Sequence, residues 1–386
     1  MKTTYLLLCL LGIGSVSGAG QTKQPQKIGD FIESTSYNEH RRNATRSLQY
    51  TPDGDDFVCI NGKNRFTRAL YGSHTAFRLE TSDRPVFAAY TKKNQKHICF
   101  KLQTSGGTVA LDSTEHCESR YTAGRRSYSL SDPAFGGGSL SITTWALPDK
   151  EGAIWQFNAR NFKEFHPVLL ASISEIRNSK LNRNGDMGAD PADSFEAPLQ
   201  PQQLQSFPVQ IDGTLYILLE NQELRTLTTA EGENLFKKAE AARSETASRI
   251  RIETPDPYFN TLGGTLAMAA DGIWDGEVWL HGAIGWRMPL SGWRAAYTGD
   301  VLGWHDRART HFNAYAASQV TEVPNTLPHP AQDSALHLAR SVKKWGTPQY
   351  SNGYICRNPH RNNQMHHYDM NLCYIDELLW HFKWTG

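Results

Sequence analysis

Near Leu227 the apolar residues of this 386-residue chain stop recurring at every second position and begin to recur at the roughly 3.6-residue spacing of a helix. The change divides the chain into a β part and an α part. From Asp55 to Leu227 the segments "DFVCINGKNRFTRALYG", "RPVFAAYT", "HICFKLQT", "GSLSITTWALP" and "AIWQFNARNF" are short and rich in β-branched and aromatic residues. Turn-forming "NGKN", "TSGG" and "FGGGS" separate them. Strands this frequent, with no long helix between them, predict an antiparallel β-sandwich over 55–229. The polar stretch Leu181 to Gln203 reads as an excursion between strands, because "FPVQI" and "TLYILLE" resume the β pattern.

The α part begins with "AEGENLFKKAEAARSETASRIRI", rich in Ala, Glu, Lys and Arg, which predicts an exposed linker helix over 230–252. "DPYFNTLGGTLAMAADGIWDG" spaces Phe259, Leu262, Leu266, Met268 and Ile273 helically around a Gly-Gly pair that lets another helix approach. In "DVLGWHDRARTHFNAYAASQV", Val301, Trp304, Ala308, Phe312 and Tyr315 share one face, with Asp300 as the expected N-cap. "DMNLCYIDELLWHFKWTG" repeats the pattern, with Leu372, Ile375, Leu379 and Phe382 expected to face inward. Such helices, joined by long polar and aromatic loops, are the units of an α-helical toroid, expected to start at 253. Three core helices cannot surround a cavity, and "KWTG" reads as a turn leading onward, so the toroid is expected to be truncated at Gly386.

The opening "MKTTYLLLCLLGIGSVSGAG" has one Lys, an apolar run and small residues, with Ser17 and Ala19 at the −3 and −1 positions of a cleavage site. A signal peptide over 1–19 is expected, then a flexible segment over 20–54, in a periplasmic or extracellular protein. The apolar run is too short to cross a bilayer, and no later segment approaches the ~20 apolar residues required. A net charge of +1 with scattered basic residues leaves no footprint for nucleic acid or an anionic membrane. Beyond the leader, Cys59, Cys99, Cys117, Cys356 and Cys373 include no C-x-x-C pair, which excludes a disulfide scaffold and argues against structural zinc. Most read as small buried hydrophobes. No cofactor and no metal are expected.

Candidate site residues fall in two clusters. "WDGEVWLHGAIGWRMPLSGWRAAYTGD" carries Trp274, Trp279, Trp286 and Trp293 with Asp275, His281, Arg287 and Arg294. "YICRNPHRNNQMHHYDMN" adds His360, His366, His367, Tyr368, Asp369 and Asn371. Flat rings with polar edges stack on sugars, while Arg, Asp, Asn and His bond hydroxyls. Each cluster precedes a helix, which in a toroid sets both at one rim. The competing reading makes the tryptophans core residues and the Trp-Arg pairs cation–π contacts that fix a loop. His366 and His367 lack a third ligand at a zinc-like spacing. "NRNGDMGAD" mimics calcium-loop oxygen spacing but has Met187 and Asp193 where such a loop needs Gly and Glu. It reads as a solvated turn or a loop from the sandwich reaching over the helices.

A sandwich, a linker helix and then "TPDPYFNTLGGTLAMAADGIWDG…WLHGAIGWR…GWRAAYTGDVLGWHDRARTHF" resemble the six-hairpin glycosidase superfamily, in which a sandwich packs on an (α/α)6 barrel. More closely, "RNGDMGADP" and "WDG…HGA…GWR" resemble an uncharacterised family of large exported Bacteroidetes proteins assigned to polysaccharide use. The resemblance covers roughly 55–386 and implies a glycoside hydrolase-like protein acting on a plant or other complex polysaccharide or oligosaccharide; it favours the reading of "NRNGDMGAD" as a sandwich loop over the barrel, which implies Arg183 and Asp186 as secondary site candidates. Such hydrolysis needs two carboxyl groups, which the family pattern sets beyond Gly386. Of the carboxylates present, Asp369 and Asp275 are the best candidates and Glu277 the third, all expected to bind substrate rather than transfer protons. Two alternatives stay open. A polysaccharide lyase would use "HHYD", against the usual domain order of such enzymes, and a non-catalytic glycan-binding protein would use the sandwich alone. The apolar helix faces of an incomplete barrel predict self-association.

Overall fold

The computed structural model describes residues 50–64, 67–92, 94–162, 167–176, 195, 204–282, 287–289, 296–321, 332–333, 338–339, 353–361 and 368–386, all within one compact unit, Gln49–Gly386. The expected leader and most of the 20–54 segment lie outside them. In chain order the strands are β1 (Thr51–Asp53), β2 (Asp56–Ile60), β3 (Arg68–Leu70), β4 (Arg78–Thr81), β5 (Val86–Tyr90), β6 (Gln95–Thr104), β7 (Gly107–Ala110) and β8 (His116–Thr122). They continue as β9 (Arg125–Ser131), β10 (Ser139–Ala146), β11 (Gly152–Arg160), β12 (Val168–Glu175), β13 (Gln205–Pro208), β14 (Thr214–Glu220) and β15 (Glu223–Leu227). Eight form a sheet in the order β1-β2-β8-β9-β10-β11-β14-β15. Seven more form a second, β13-β12-β6-β5-β4-β3, with β7 beside β6, and the two-residue strands Gln332–Asp333 and Leu338–Ala339 pair apart from both.

The pairing is antiparallel, and the two sheets make the expected β-sandwich. Alternation along β11 aims Trp155 and Phe157 inward, where they meet Phe87 of β5 and Phe100 of β6 edge to face. Ring centroids are 5.4 Å apart for Phe87–Trp155, 5.7 Å for Phe100–Trp155 and 5.0 Å for Phe100–Phe157. Tight turns set the register. Asn221 and Gln222, between β14 and β15, both take left-handed φ, 50° and 66°, the backbone of a two-residue hairpin turn whose twist matches the strands. Order begins earlier than expected, because β1 pairs with β2 from Thr51 onward.

Helix α1 (Thr229–Ala247) starts at a capping box in which the Thr228 hydroxyl accepts from the Glu231 N–H and the Glu231 side chain reaches back to the Thr228 N–H. Its expected role as an exposed linker is corrected. Leu235, Phe236 and Ala239 pack on Trp145, Ile154, Tyr216 and Leu218 on the outer face of the eight-stranded sheet. The Trp145 and Phe236 rings sit 4.1 Å apart. Gly232 lies so close that a Cβ there would come within 2.2 Å of the Tyr216 ring. Glu240 accepts from Trp145 Nε1 at 2.7 Å and pairs with Arg243 at 2.6 Å. The sequence reading averaged over the helix, whereas docking needs only one narrow apolar face.

Beyond it come α2 (Pro257–Asn260), α3 (Leu262–Gly272), α4 (Ala296–Val301), α5 (His305–Ala316) and α6 (Tyr368–Thr385). The Gly-Gly pair does admit a close neighbour. A Cβ on Gly264 would lie 3.2 Å from the Ala247 carbonyl at the end of α1, and one on Gly263 would lie 2.7 Å from the Ile250 carbonyl. Trp304, Ala308, Phe312 and Tyr315 are buried together as expected. Three expectations about helix faces are corrected. Val301, Phe259 and Leu266 are exposed. Asp300 lies within α4 rather than capping α5. On α6 the inward residues are Tyr374, Glu377 and His381, while Leu372, Ile375, Leu379 and Phe382 face outward. No helix among the described residues is long and apolar enough to cross a membrane.

Candidate functional site

At one end of the sandwich the hairpin turns after β5, β10 and β14 gather around the loop between β3 and β4. Gly72 in that loop sits against the β10–β11 turn, where a Cβ would come within 2.2 Å of the Leu147 carbonyl. Between the turns is a hollow of about 340 Å3. Thr91, Lys92, Asn94, Lys96, Glu151, Asn221 and Gln222 line it, around Phe77, Ala89 and Leu219. This volume is on the scale of a small-ligand site, ~300–1,000 Å3. Lys96 is ion-paired with Glu175. At the foot of the β14–β15 hairpin, the Lys150 ammonium binds Glu220 at 2.6 Å and holds its carboxyl below the usual range.

A charged centre adjoins this hollow. Arg287 donates from Nη2 to the His74 carbonyl at 2.7 Å. Burial lowers its pKa, and the charges of Asp275 and of Glu151, which lines the hollow, act in the opposite sense. The His74 side chain reaches Asp271 Oδ1 at 3.4 Å, and Arg307 Nη1 reaches the same oxygen at 2.7 Å. Burial alone would raise the Asp271 pKa, but the hydrogen bonds and charges of His74 and Arg307 outweigh it, and the net shift is downward. Asp271 is therefore an ionised acceptor, unsuited to donate a proton at neutral pH. The Arg307 guanidinium lies 4.3 Å over Trp304 and 5.6 Å over Trp274, and Arg249 lies 5.1 Å over Trp304. The sandwich loop, α3 and α5 are thus tied by one stack of cations and rings.

Of the residues expected at the site, Trp274 and Trp279 are 4% and 1% exposed. Their rings lean together at 4.6 Å, and Trp279 Nε1 donates to the Ala270 carbonyl at 3.2 Å. Both are core side chains with no free face. Asp275 is exposed, and its Oδ1 accepts from the N–H groups of Glu277 and Val278 at 3.0 and 2.7 Å, closing a turn. Glu277 pairs with His360 at 2.6 Å, and Arg357 reaches Met288 Sδ at 3.4 Å, so the two sequence clusters do meet. His281 is exposed, and its N–H donates to the Met288 carbonyl. Asn371 accepts from the Ile355 N–H at 2.9 Å and donates to its carbonyl at 3.1 Å, a splice between loop and helix. Asp369 is exposed on the first turn of α6. Trp286, Trp293, Arg294, His366, His367, Arg183 and Asp186 lie outside the described residues.

Sequence reasoning passed over His74, Asp271, Arg307 and the hairpin residues of the hollow. A lone Asp ending the apolar run "LAMAAD" was the available signal for Asp271. Asp300, expected as a helix cap, has another role: its buried carboxylate takes His305 Nδ1 at 2.9 Å and His381 Nδ1 at 2.9 Å, joining α4, α5 and α6. Among the described residues no group of three or more His, Cys, Asp or Glu is placed to hold a metal ion. All five described cysteines are free, and Cys59, Cys117 and Cys356 are buried. At this end Asp271 and Glu277 are ion-paired, Asp275 holds a turn and the Thr91 hydroxyl bonds Asn94, which leaves amide and ammonium groups and Glu151 among the lining residues to face a ligand.

No match was found among the curated proteins. Residues 95–249 match the model of a domain of unknown function, DUF4450. The match runs from the start of β6 to just past α1, so it takes in the docked helix together with the strands that it covers, and with them Lys96, Glu151, Asn221 and Gln222 of the hollow.

Proposed function

We propose that the protein recognises glycan in the hollow at the hairpin end of the sandwich. On this reading it is a glycoside hydrolase-like protein of polysaccharide or oligosaccharide use in which the described residues bind sugar rather than cleave it. The lining of the hollow carries the reading. Asn94, Asn221, Gln222, Lys92 and Glu151 offer both donors and acceptors, as vicinal hydroxyls require, in a space suited to one or two sugar rings. Glu151 is the one carboxylate among these lining residues, whereas glycoside hydrolysis uses two. That favours the binding role. The helices from Pro257 onward belong to the same proposal as the first hairpins of an (α/α)6 toroid, as does an exported setting where polymeric glycans are met. A lyase reading would rest on Tyr368 as acid-base with a neutralising His or Arg, and His366 and His367 lie outside the described residues.

Calorimetric titration with cello-, xylo-, manno- and galacturono-oligosaccharides tests this, with reducing-sugar release followed in parallel. The double variant Asn221→Gly, Gln222→Gly removes both amides while keeping residues that accept the left-handed turn. Binding weakened about tenfold or more, the loss of one or two hydrogen bonds, with an unchanged melting temperature, is the expected result. No binding by any of these sugars, or equal binding by the variant, would overturn the proposal.

A further inference from the structure

Helix α6 has two apolar aspects, and the protein covers one of them. Tyr374, Glu377 and His381 face the body and are buried. His381 binds Asp300, and the Tyr374 hydroxyl donates to the Phe312 carbonyl at 2.9 Å. On the outer side Leu372, Ile375, Leu379 and Phe382 are 70%, 64%, 49% and 64% exposed. Their spacing is that of the a and d positions of a heptad, the seam that receives another helix. Leu378, Trp380 and Trp384 are also exposed and widen the surface. With large apolar side chains offering ~150–250 Å2 each, these exposed fractions amount to on the order of 800 Å2, about what each partner gives a stable interface.

Charge bears on the occupant. Asp369 and Asp376 flank the seam and Lys383 closes it, which disfavours an anionic bilayer, since interfacial helices carry a Lys- and Arg-rich polar face. The ends of the seam are complementary to those of a second copy. In an antiparallel pair about a two-fold axis near Glu377, Leu372 meets Phe382 of the second copy and Ile375 meets Leu379. Asp369 of each helix then approaches Lys383 of the other, while Asp376 approaches its own symmetry mate, one like-charge contact at the axis against two opposite-charge contacts at the ends. Such an interface is isologous and closes on itself as a dimer.

We propose that α6 is a homodimerisation helix, pairing antiparallel with α6 of a second copy of this chain. Sedimentation of the full chain over about 1–100 μM should show a dimer with a micromolar dissociation constant. The double variant Ile375→Glu, Phe382→Glu changes exposed side chains only, so below the parent's dissociation constant it should melt as the parent does, yet it should dissociate about 100-fold more readily or sediment as a monomer. Lys383→Asp should weaken the dimer, and adding Asp369→Lys should restore it. A parent chain that stays monomeric at ~100 μM, a dimer indifferent to the two glutamates, or flotation with phosphatidylcholine–phosphatidylglycerol vesicles in place of dimerisation would overturn the proposal. Charge variants without effect would overturn the antiparallel arrangement.

Discussion

Trp279→Ala separates a core tryptophan from a sugar platform. The side chain is 1% exposed, leans on Trp274 at 4.6 Å and donates to the Ala270 carbonyl at 3.2 Å. Its ring fills the space beside Gly299, where a Cβ would come within 2.1 Å of it. Burying ~150–250 Å2 of ring at ~25 cal/mol per Å2 contributes about 4–6 kcal/mol. Truncations of this kind, with partial collapse around the gap, cost about 3–5 kcal/mol. The buried Ala270 carbonyl, left without its donor, adds about 1 kcal/mol. Against a total stability of about 5–15 kcal/mol this is a large fraction. Urea denaturation followed by far-UV circular dichroism should show a loss of at least about 3 kcal/mol. Trp279→Phe, which keeps an aromatic ring but loses the N–H, should lose about 1–3 kcal/mol. Glycan titration of whatever fraction remains folded should match the parent protein. A loss under about 1 kcal/mol combined with abolished sugar binding would refute the packing argument and restore the platform reading.

Asp271→Asn should cost about 1–3 kcal/mol at pH 7, the scale of hydrogen bonds to a charged group, because Arg307 and His74 both lose the carboxylate. The folded pKa of Asp271 is depressed, so its contribution is present above the unfolded value of ~3.9 and is lost as pH falls through the folded value. The gap between variant and parent in urea midpoints should therefore close as the pH is lowered below about 4, and a gap as wide at pH 3 as at pH 7 would contradict the assignment. Gly232→Ala sets two effects against each other. Alanine favours a helix by about 1 kcal/mol, but its Cβ would lie 2.2 Å from the Tyr216 ring, and such overpacking costs about 1–3 kcal/mol. The melting temperature should fall, and a rise would show that α1 can lift from the sheet without penalty.

The sandwich was legible because its signals are local. Alternation in "AIWQFNARNF" assigns Trp155 and Phe157 to one face whatever lies across from them, and turn residues such as Asn221 fix where strands end. The tryptophans of the first loop were ambiguous for a related reason. Composition says that a Trp is present, but whether its ring meets solvent depends on what packs over it, here α3 and α5, which are distant in sequence or set by a separate turn. The hollow was not legible at all. It is made by turns from three hairpins and a loop more than a hundred residues apart at the extremes, and nothing in any one turn records the others.

Helix rotation shows most directly where the reading stops. The period of α6 was legible and its phase was not, because the helix is apolar on nearly every side. Leu372, Ile375, Leu379 and Phe382 make as good a stripe as the buried one and contain no polar group, so hydrophobicity alone selects the wrong face. The choice is made by directional bonds. His381 finds Asp300, the Tyr374 hydroxyl finds the Phe312 carbonyl, and Asn371 finds both backbone groups of Ile355. Each such bond contributes about 0.5–1.5 kcal/mol, or about 1.5–3 kcal/mol where a charged group takes part, and being directional all three are satisfied at one rotation of the helix only. A helix turned by polar contacts toward the body leaves its better apolar stripe outside, and that stripe is the one spaced to receive another helix.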